Sequence, residues 1–321
     1  MRQGTIERIH SHGGRCMMGS ESLSNPTWKE RFSKRFSSAV AESWTVVSRE
    51  SYNCNVTCAY DYHINEGEFA GFTASMCAGT ENLLGTAALL GIEDPAVAIA
   101  LTDYFDAMGM DSYVGAGLMG AAFELYNRGA LTEQDTDGLQ LVWGNFEVAR
   151  ELLDQMIEGR GFGGRVLASG LQEGARILGL APKLCAIHTH SDGMNMHAWR
   201  MAWNMLLVKI FSGTGPCWRR LGIDLQASEP NLGYTDATAV AEQQCEVETL
   251  ANAAELWEGS LGLCGFDRNG VKGPIDYATR ALVCATGWAD FSAEEALLVG
   301  KRIAVLQRLL QSGTDSVPTN E

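Results

Sequence analysis

The sequence is poor in basic residues. Its 321 residues include 24 lysines and arginines against 39 aspartates and glutamates, which gives a formal net charge of −15. A surface that binds nucleic acid or an anionic membrane needs concentrated lysine and arginine. The charge balance therefore argues against both kinds of partner.

Long apolar runs are also missing. No stretch approaches the roughly 18 apolar residues of a membrane-spanning helix, and the first residues, Met1–Arg8, lack the apolar core of a signal peptide. The nine cysteines are an odd number and stand mostly in helix-like surroundings, as at Cys77 and Cys284, which is unlike a disulfide framework. We therefore expect a chain that is neither exported nor inserted in a membrane, and a reducing, cytoplasmic location.

Alternating strand patterns are scarce, and helical patterns fill most of the chain after Cys58. Several carry recognisable ends: Asp94-Pro95 is a typical helix start, Asn145 can cap Phe146–Glu158 before Gly159, and Ser292–Glu295 is a capping box. Further helices are predicted at 165–179 and 235–257. The sequence therefore predicts a mainly α, multihelical fold.

The length suffices for two domains with cores of their own. The region Leu180–Lys183, between two helical stretches, is the best candidate for a junction. We therefore predict a first domain at 1–183 and a second at 184–321.

The segment Ser51–Cys58 carries the most informative local pattern. An iron–sulfur cluster usually needs three thiolates close in sequence and a fourth from far away, because soft thiolates ligate iron well. Cys54 and Cys58 supply two, Ser51 occupies the third local position, and Cys264 is a candidate for the distant one. Since the proton of serine is much harder to remove than that of a thiol, three outcomes stay open: a cluster with one oxygen ligand, a three-iron cluster, or none.

Ser51–Cys58 and Gly259–Phe266 together resemble two motifs of the tungsten-dependent aldehyde ferredoxin oxidoreductase family, a Cys-x2-Cys-x3-Cys loop and a distant Asp-x2-Gly-Leu-Cys. The resemblance spans about residues 4–310. Other matching segments occur in the family's order, and they are Phe123–Tyr126, Leu141–Asn145, Ala285–Trp288 and Val299–Ile303. The resemblance implies the fold of the family's second and third domains. It also implies a 4Fe–4S cluster at Cys54, Cys58 and Cys264, with Ser51 at the position of the remaining ligand.

The resemblance further implies a tungsten or molybdenum bis-pterin. Asp106, Gly109 and Asp111 match the family's Asp-x2-Gly-x-Asp, in which carboxylates accept hydrogen bonds from pterin N–H groups while glycine lets the backbone approach. Taken alone, the same residues are an ordinary helix C-terminus. Gly262 and Leu263 belong to the second pterin segment.

Some positions depart from the family pattern. Glu66–Ala70 resembles Gly-Pro-Glu-Tyr-Glu and retains Glu68, which the resemblance implies as a proton acceptor or water-orienting group, but its second acid falls on Ala70. The aspartate of the second pterin segment falls on Gly259, beside Glu258, whose side chain we expect to point elsewhere. The family's histidine near the metal falls on Trp218, which cannot accept a proton.

The histidine cluster of His188, His190 and His197 either replaces that function, binds a metal or does neither.

The family's first domain, which covers one side of the bis-pterin, has no counterpart in this sequence. The resemblance thus implies a separate chain that supplies it, or a homo-oligomer, with ferredoxin as electron acceptor. The first functional hypothesis is an oxidoreductase subunit that oxidises aldehydes to acids. The second is a degenerate, non-catalytic scaffold or interaction protein of the same fold, and a third is a related reductase acting on another carbonyl or acyl substrate.

Overall fold

The computed structural model describes residues 35–36, 45–50, 52, 54, 57–77, 79–180, 188–189, 192–193, 249–250, 252–263 and 274–312. The chain divides into two compact units, Met1–Met201 and Ala202–Glu321, and each is described by itself. The predicted junction at 183 lies outside the described residues and stays a prediction.

A three-stranded antiparallel sheet opens the first unit. Its strands, in the order β1-β2-β3, are Thr45–Arg49, Ala59–His63 and Thr73–Cys77. In β2 the buried Tyr60 and Tyr62 alternate with more exposed residues, the period of a strand with one face on a core. The prediction of a helical pattern directly after Cys58 is therefore wrong, as is a helical setting for Cys77. Strands of five residues are too short for sequence periodicity to distinguish them from helix ends.

Helices follow and make the fold mainly helical, as predicted. They are α1 Gly79–Leu90, α2 Pro95–Ala107, α3 Ser112–Asn127, α4 Phe146–Glu158, α5 Gly161–Arg165, a 3-10 turn Leu167–Ser169, and α6 Leu171–Ile177. Two short antiparallel strands, β4 His188–Thr189 and β5 Asp192–Gly193, come after them.

The predicted helix ends are confirmed in detail. Asp94 accepts a hydrogen bond from the Ala96 N–H at 2.8 Å, and Asn145 accepts one from the Val148 N–H at 3.1 Å. Gly159 ends α4 with a φ of 66°, a conformation that glycine adopts without a Cβ penalty. The single helix predicted at 165–179 is wrong, because Gly170, with a φ of 86°, separates the 3-10 turn from α6.

The core of the first unit lies between the inner face of the sheet and the helices. Its fully buried large side chains come from both: Tyr60, Tyr62, Met76, Leu84, Ile99, Phe105, Phe123 and Phe162. Burying one side chain of this size stabilises a fold by about 1.5–3 kcal/mol. Helices α1 and α3 approach closely at Gly120, where a Cβ would lie 2.7 Å from the carbonyl oxygen of Leu89.

The described part of the second unit is helical. Residues 249–250 and 252–260 are helical, and they are followed by α7 Pro274–Thr286 and α8 Ala293–Ser312. Ser292 accepts a hydrogen bond from the Glu295 N–H at 3.3 Å, so the serine half of the predicted capping box of α8 is confirmed, while the Glu295 carboxylate faces Arg302 instead. Trp257 stacks on Phe291 with ring centroids 5.1 Å apart, which joins the helix of 252–260 to the start of α8. The predicted helix at 235–257 is described only from residue 249.

No single helix in the described ranges combines the length and apolar composition that crossing a membrane requires. Asn82–Leu90 and Pro95–Ala107 meet that requirement only as a pair, across a 110° bend.

Candidate functional site

The connection between β1 and β2 carries the two described candidate cluster ligands. Cys54 lies within it and Cys58 immediately precedes β2, and both are half-buried. Ser51 and Cys264 lie outside the described residues. Within the residues that the structure does describe, no three histidine, cysteine or acidic side chains are grouped so as to hold a metal ion. The hairpin therefore positions two thiols, and the other two ligands stay predictions.

The turn between α2 and α3 brings together the first predicted pterin segment. Asp106 lies in the last turn of α2, Asp111 is the N-cap of α3, and Gly109 lies between them with a φ of 69°. All three are exposed, and a Cβ at Gly109 would meet nothing within 4 Å. The turn therefore leaves open space beside its backbone, as close approach of a flat ligand requires.

Asp111 has a structural task as well. Its Oδ1 accepts hydrogen bonds from the N–H groups of Tyr113 at 2.8 Å and Val114 at 3.1 Å, which caps α3. Both bonds fall on one oxygen, so the second oxygen of the exposed carboxylate remains for a ligand donor.

Charge is concentrated at this turn. Partial desolvation of its carboxyl group raises the pKa of Asp106, and the carboxylates of Asp103 and Asp111 raise it further. Burial also raises the pKa of Asp103, against a hydrogen bond from the Ser75 backbone N–H. A cluster of acceptors around an open glycine fits a ligand that presents N–H donors, as a pterin does, so the residues present fit that group.

An ion pair on the sheet was missed by the sequence analysis. Ser75 lies opposite Asp61 in the β2–β3 register, and Asp61 accepts from Arg49 Nε at 2.8 Å. The Ser75 side chain and Arg49 together lower the pKa of Asp61. The signal available in the sequence was the alternation Tyr60-Asp61-Tyr62, which is typical of a strand with one polar face.

Glu68 lies in the loop between β2 and β3 and is exposed. The loop is closed by a hydrogen bond from the Gly71 N–H to the Ile64 carbonyl at 2.8 Å. Beside Glu68, Phe69 packs edge-on against Phe146 of α4 with centroids 5.3 Å apart. The loop is thus held by a ring contact while Glu68 faces solvent, and its catalytic role stays a prediction.

In the second unit, the segment after the helix of 252–260 forms an exposed turn. Gly262 has a φ of 76°, and Leu263 is 38% exposed and donates its N–H to the Glu258 carbonyl at 3.1 Å. The side chain of Glu258 is buried, whereas Gly259 is exposed and a Cβ there would meet nothing within 4 Å. Glu258 therefore points inward, as expected, and does not replace the acceptor missing at Gly259.

Of the remaining candidates, Trp218, His190 and His197 lie outside the described residues. His188 lies in β4, and nothing further is described of its side chain.

The chain matches relatives over much of its length. A tungsten-containing aldehyde ferredoxin oxidoreductase of Pyrococcus furiosus is 28% identical over 283 residues, which covers 86% of this chain and 44% of that protein. The aliphatic sulfonate oxidoreductase, WOR-like subunit, of the same organism is 27% identical over 206 residues, or 61% of this chain and 32% of that protein. The chain thus spans less than half the length of these relatives.

A solved structure shares the fold. The active-site complex BamBC of benzoyl coenzyme A reductase, in complex with 1,5-dienoyl-CoA, superposes with a TM-score of 0.65 at 14% identity and covers 95% of this chain and 51% of that chain. Because the sequence identity is this low, the superposition shows a shared fold and nothing about function.

The family itself follows from a match to residues 1–314. The matching family model is described as aldehyde ferredoxin oxidoreductase, domains 2 and 3. With the cysteine hairpin and the Asp106–Asp111 turn on the same chain, the protein belongs to the aldehyde ferredoxin oxidoreductase family.

Proposed function

We propose that this chain is part of an oxidoreductase that holds a tungsten or molybdenum bis-pterin and a 4Fe–4S cluster and oxidises an aldehyde to the acid. The observation that carries the proposal is the open α2–α3 turn, where the acceptors Asp106 and Asp111 flank Gly109 beside unfilled space. Membership of the family supports the cofactor. The metallopterin supplies the two-electron redox chemistry when it is bound, and the protein positions and tunes it.

The residues of the chain have distinct tasks in this proposal. Asp106 and Asp111 accept from pterin N–H groups at the first segment, and Gly262 and Leu263 form the second. Glu68 orients a water molecule or accepts its proton as the aldehyde carbon gains oxygen.

The electron path uses the cysteine hairpin. Cys54, Cys58 and the distant Cys264 would hold the cluster, which would supply single-electron transfer to ferredoxin. Ser51 stands at the fourth position, so the cluster either takes an oxygen ligand there or lacks one iron.

A second polypeptide belongs to the proposal. One relative is named a WOR-like subunit and the structural neighbour is the complex BamBC, which supports an assembly of more than one chain. A separate chain that covers the open side of the bis-pterin is one arrangement, and a second copy of this chain is the other. Light scattering of the natively purified protein separates the two, and a monomer with stoichiometric tungsten would contradict both.

Metal analysis by plasma mass spectrometry tests the proposal, on protein purified without oxygen from its native host. Tungsten or molybdenum with about four irons per chain, together with aldehyde-dependent reduction of ferredoxin, is the expected result. Iron without tungsten or molybdenum would indicate an electron-transfer subunit. Absence of all three metals would favour the non-catalytic scaffold of the same fold.

The substrate panel for that assay follows from the relatives. It includes aliphatic aldehydes, aliphatic sulfonates and an aromatic acyl-CoA, because the relatives and the structural neighbour carry those substrates in their names. Activity on the acyl-CoA alone would replace the aldehyde with the reductase hypothesis.

A further inference from the structure

Three strand ends form one row at one end of the three-stranded sheet. β1 ends at Arg49, β2 begins at Ala59 and β3 ends at Cys77. The register pairs Arg49 with Ala59 and Ala59 with Cys77. The connection that carries Cys54 and Cys58 leaves the sheet after Arg49 and returns at Ala59. Cys77 therefore stands at the same end of the sheet as the two candidate cluster ligands.

The register also limits the distance between Cys58 and Cys77. Directly opposed residues of an antiparallel pair, as Ala59 and Cys77 are, have Cα atoms about 4.5–5.5 Å apart. Cys58 precedes Ala59 in the chain, at a Cα distance of about 3.8 Å, so the Cα atoms of Cys58 and Cys77 lie within about 9 Å of each other. Two cysteine side chains and their metal–sulfur bonds bridge a separation of this size. The backbone of Cys77 is described and its side chain is not, so this placement rests on the register alone.

The element that follows Cys77 favours an anionic sulfur at this position. Helix α1 begins at Gly79, two residues later, and runs to Leu90. The N-terminus of a helix carries partial positive charge, and a cysteine beside it forms a thiolate more readily. Thiolate is the form of cysteine that ligates iron.

Ser51 leaves the local part of the proposed cluster site one thiolate short. Cys54 and Cys58 supply two thiols, both half-buried, and the proton of serine is much harder to remove than that of a thiol. We propose that Cys77, rather than Ser51, supplies the third thiolate beside them. The inference rests on the proposed cluster. The grouping of the three cysteines is a property of the chain without metal, so it is measurable separately.

Cys77 completes the site only once β3 has paired with β2, because it lies far beyond Cys58 in the sequence. A thiol at position 51 belongs to the same connection as Cys54 and Cys58, and closing a shorter loop costs less chain entropy. Ser51→Cys should therefore replace Cys77 where Cys77 is removed. It should also raise the iron content where Cys77 is present, because ligands of one connection can bind before the sheet is complete.

Four variants of the full chain distinguish a ligand from a structural residue. Cys77→Ala removes the thiol, and Ser51→Cys/Cys77→Ala returns one at the other position. Cys54→Ala removes a proposed ligand and sets the size of the expected loss. Cys284→Ala, at an exposed cysteine of α7, is the matched control.

Iron content and electron paramagnetic resonance of chains purified without oxygen are the first readouts. In Cys77→Ala we expect iron to fall from about four per chain to about three or fewer, with the resonance of a three-iron cluster in any iron that remains. The double variant should regain the iron and the brown absorption of the wild type, and Cys284→Ala should keep both. A residue that only stabilised the end of β3 would not be replaced by a thiol at position 51.

Cobalt(II) titration of the metal-free chains is the second readout and needs no cluster. Each cobalt–thiolate bond adds intensity to a charge-transfer absorption band. With three or four thiolates on the ion, Cys77→Ala and Cys54→Ala should each weaken this band by about a quarter to a third. Cys284→Ala should leave it unchanged.

Iron decides the inference if the wild type holds a cluster, and cobalt decides it if the wild type holds none. Iron in Cys77→Ala equal to that of the wild type overturns the inference, as does a loss of iron that Ser51→Cys fails to restore. If the wild type is purified without iron, a cobalt band that weakens in Cys77→Ala supports the grouping and contradicts the proposed cluster alone. In that case a band that Cys77→Ala leaves unchanged, or no band at all, overturns the inference.

Discussion

Asp111 Oδ1 lies 2.8 Å from the backbone nitrogen of Tyr113, so a predicted pterin ligand is at the same time the cap of α3. Loss of an N-cap costs about 1 kcal/mol. We expect Asp111→Ala to lower the free energy of unfolding by about that amount, and Asp111→Asn, which keeps a capping oxygen, to change it little. Urea unfolding followed by circular dichroism measures both.

The Asp111→Ala and Asp111→Asn variants also test whether Asp111 binds the pterin. If the carboxylate accepts from the pterin, Asp111→Asn lowers pterin content without a loss of stability. Asn145→Ala removes the equivalent cap of α4, whose bond to Val148 is 3.1 Å, and should lower stability while pterin content persists. Normal pterin content in Asp111→Asn would leave Asp111 with its capping task only.

Asp106 makes the stability of the chain depend on pH. Burial, Asp103 and Asp111 raise the pKa of Asp106 in the folded state, so the folded chain holds this proton more tightly than the unfolded chain does. Ionisation of Asp106 therefore lowers the free energy of unfolding as the pH rises from about 4, the ordinary pKa of an unfolded aspartate, through the higher pKa of the folded state. We expect Asp106→Asn to be more stable than the wild type at neutral pH by less than about 1 kcal/mol, since the group is largely exposed, and equal to it at acid pH.

Asp61 should give the opposite dependence of stability on pH. Ser75 and Arg49 lower the pKa of Asp61, so its contribution to stability is present above the unfolded pKa and is lost as the pH falls through the folded pKa. Asp61→Asn should therefore be less stable than the wild type at neutral pH, with a difference that shrinks in acid. Thermal unfolding between pH 3 and pH 8 measures both variants, and parallel curves would contradict the assigned charges.

Helix ends were predictable from the sequence because their causes are local. Asp94, Asn145 and Ser292 each accept from an N–H two or three residues away, so residue type and spacing suffice. The same holds for Gly159, whose positive φ follows from its place after α4.

The strands and their packing against α2 depend on residues distant in sequence. Ala59–His63 becomes a strand because it pairs with β1 and β3, and tertiary pairing of this kind overrides a local pattern. The packing of α2 beside β3 likewise joins residues far apart in sequence, so no local pattern announces it. The pterin motif was found through family resemblance, and its setting at an open turn came from the structure.

Gly300 of α8 lies close against the backbone of Ala253 in the second unit. A Cβ there would overlap the carbonyl oxygen of Ala253, whereas one at Gly259 would meet nothing within 4 Å. Alanine favours a helix over glycine by up to about 1 kcal/mol. We therefore expect Gly259→Ala to be neutral or stabilising and Gly300→Ala to be destabilising by about 1–3 kcal/mol, as overpacking usually is. Equal effects in thermal unfolding would exclude close packing of α8 on Ala253.

Substitution of Glu68 should lower catalysis without affecting folding. Because it is exposed on a loop that Phe69 holds through its contact with Phe146, Glu68→Gln should leave the melting temperature unchanged. General acid–base catalysis contributes about 10²–10⁴-fold, so we expect aldehyde-dependent ferredoxin reduction to fall by a factor in that range. Glu66→Gln, two residues earlier and also exposed, is the control and should keep full activity. Similar rates in both variants would remove Glu68 from the reaction.

Ser51→Cys tests the cluster ligands directly. The substitution restores a third local thiolate three positions before Cys54, and thiolate binds iron more readily than a serine oxygen because its proton is easier to remove. We expect iron per chain and the brown absorption of the cluster to rise, measured on protein prepared without oxygen. Ser48→Cys adds a thiol to the neighbouring strand β1 and should leave the iron content as in the wild type. Equal gains in both variants would indicate adventitious binding, and iron in neither would favour the scaffold.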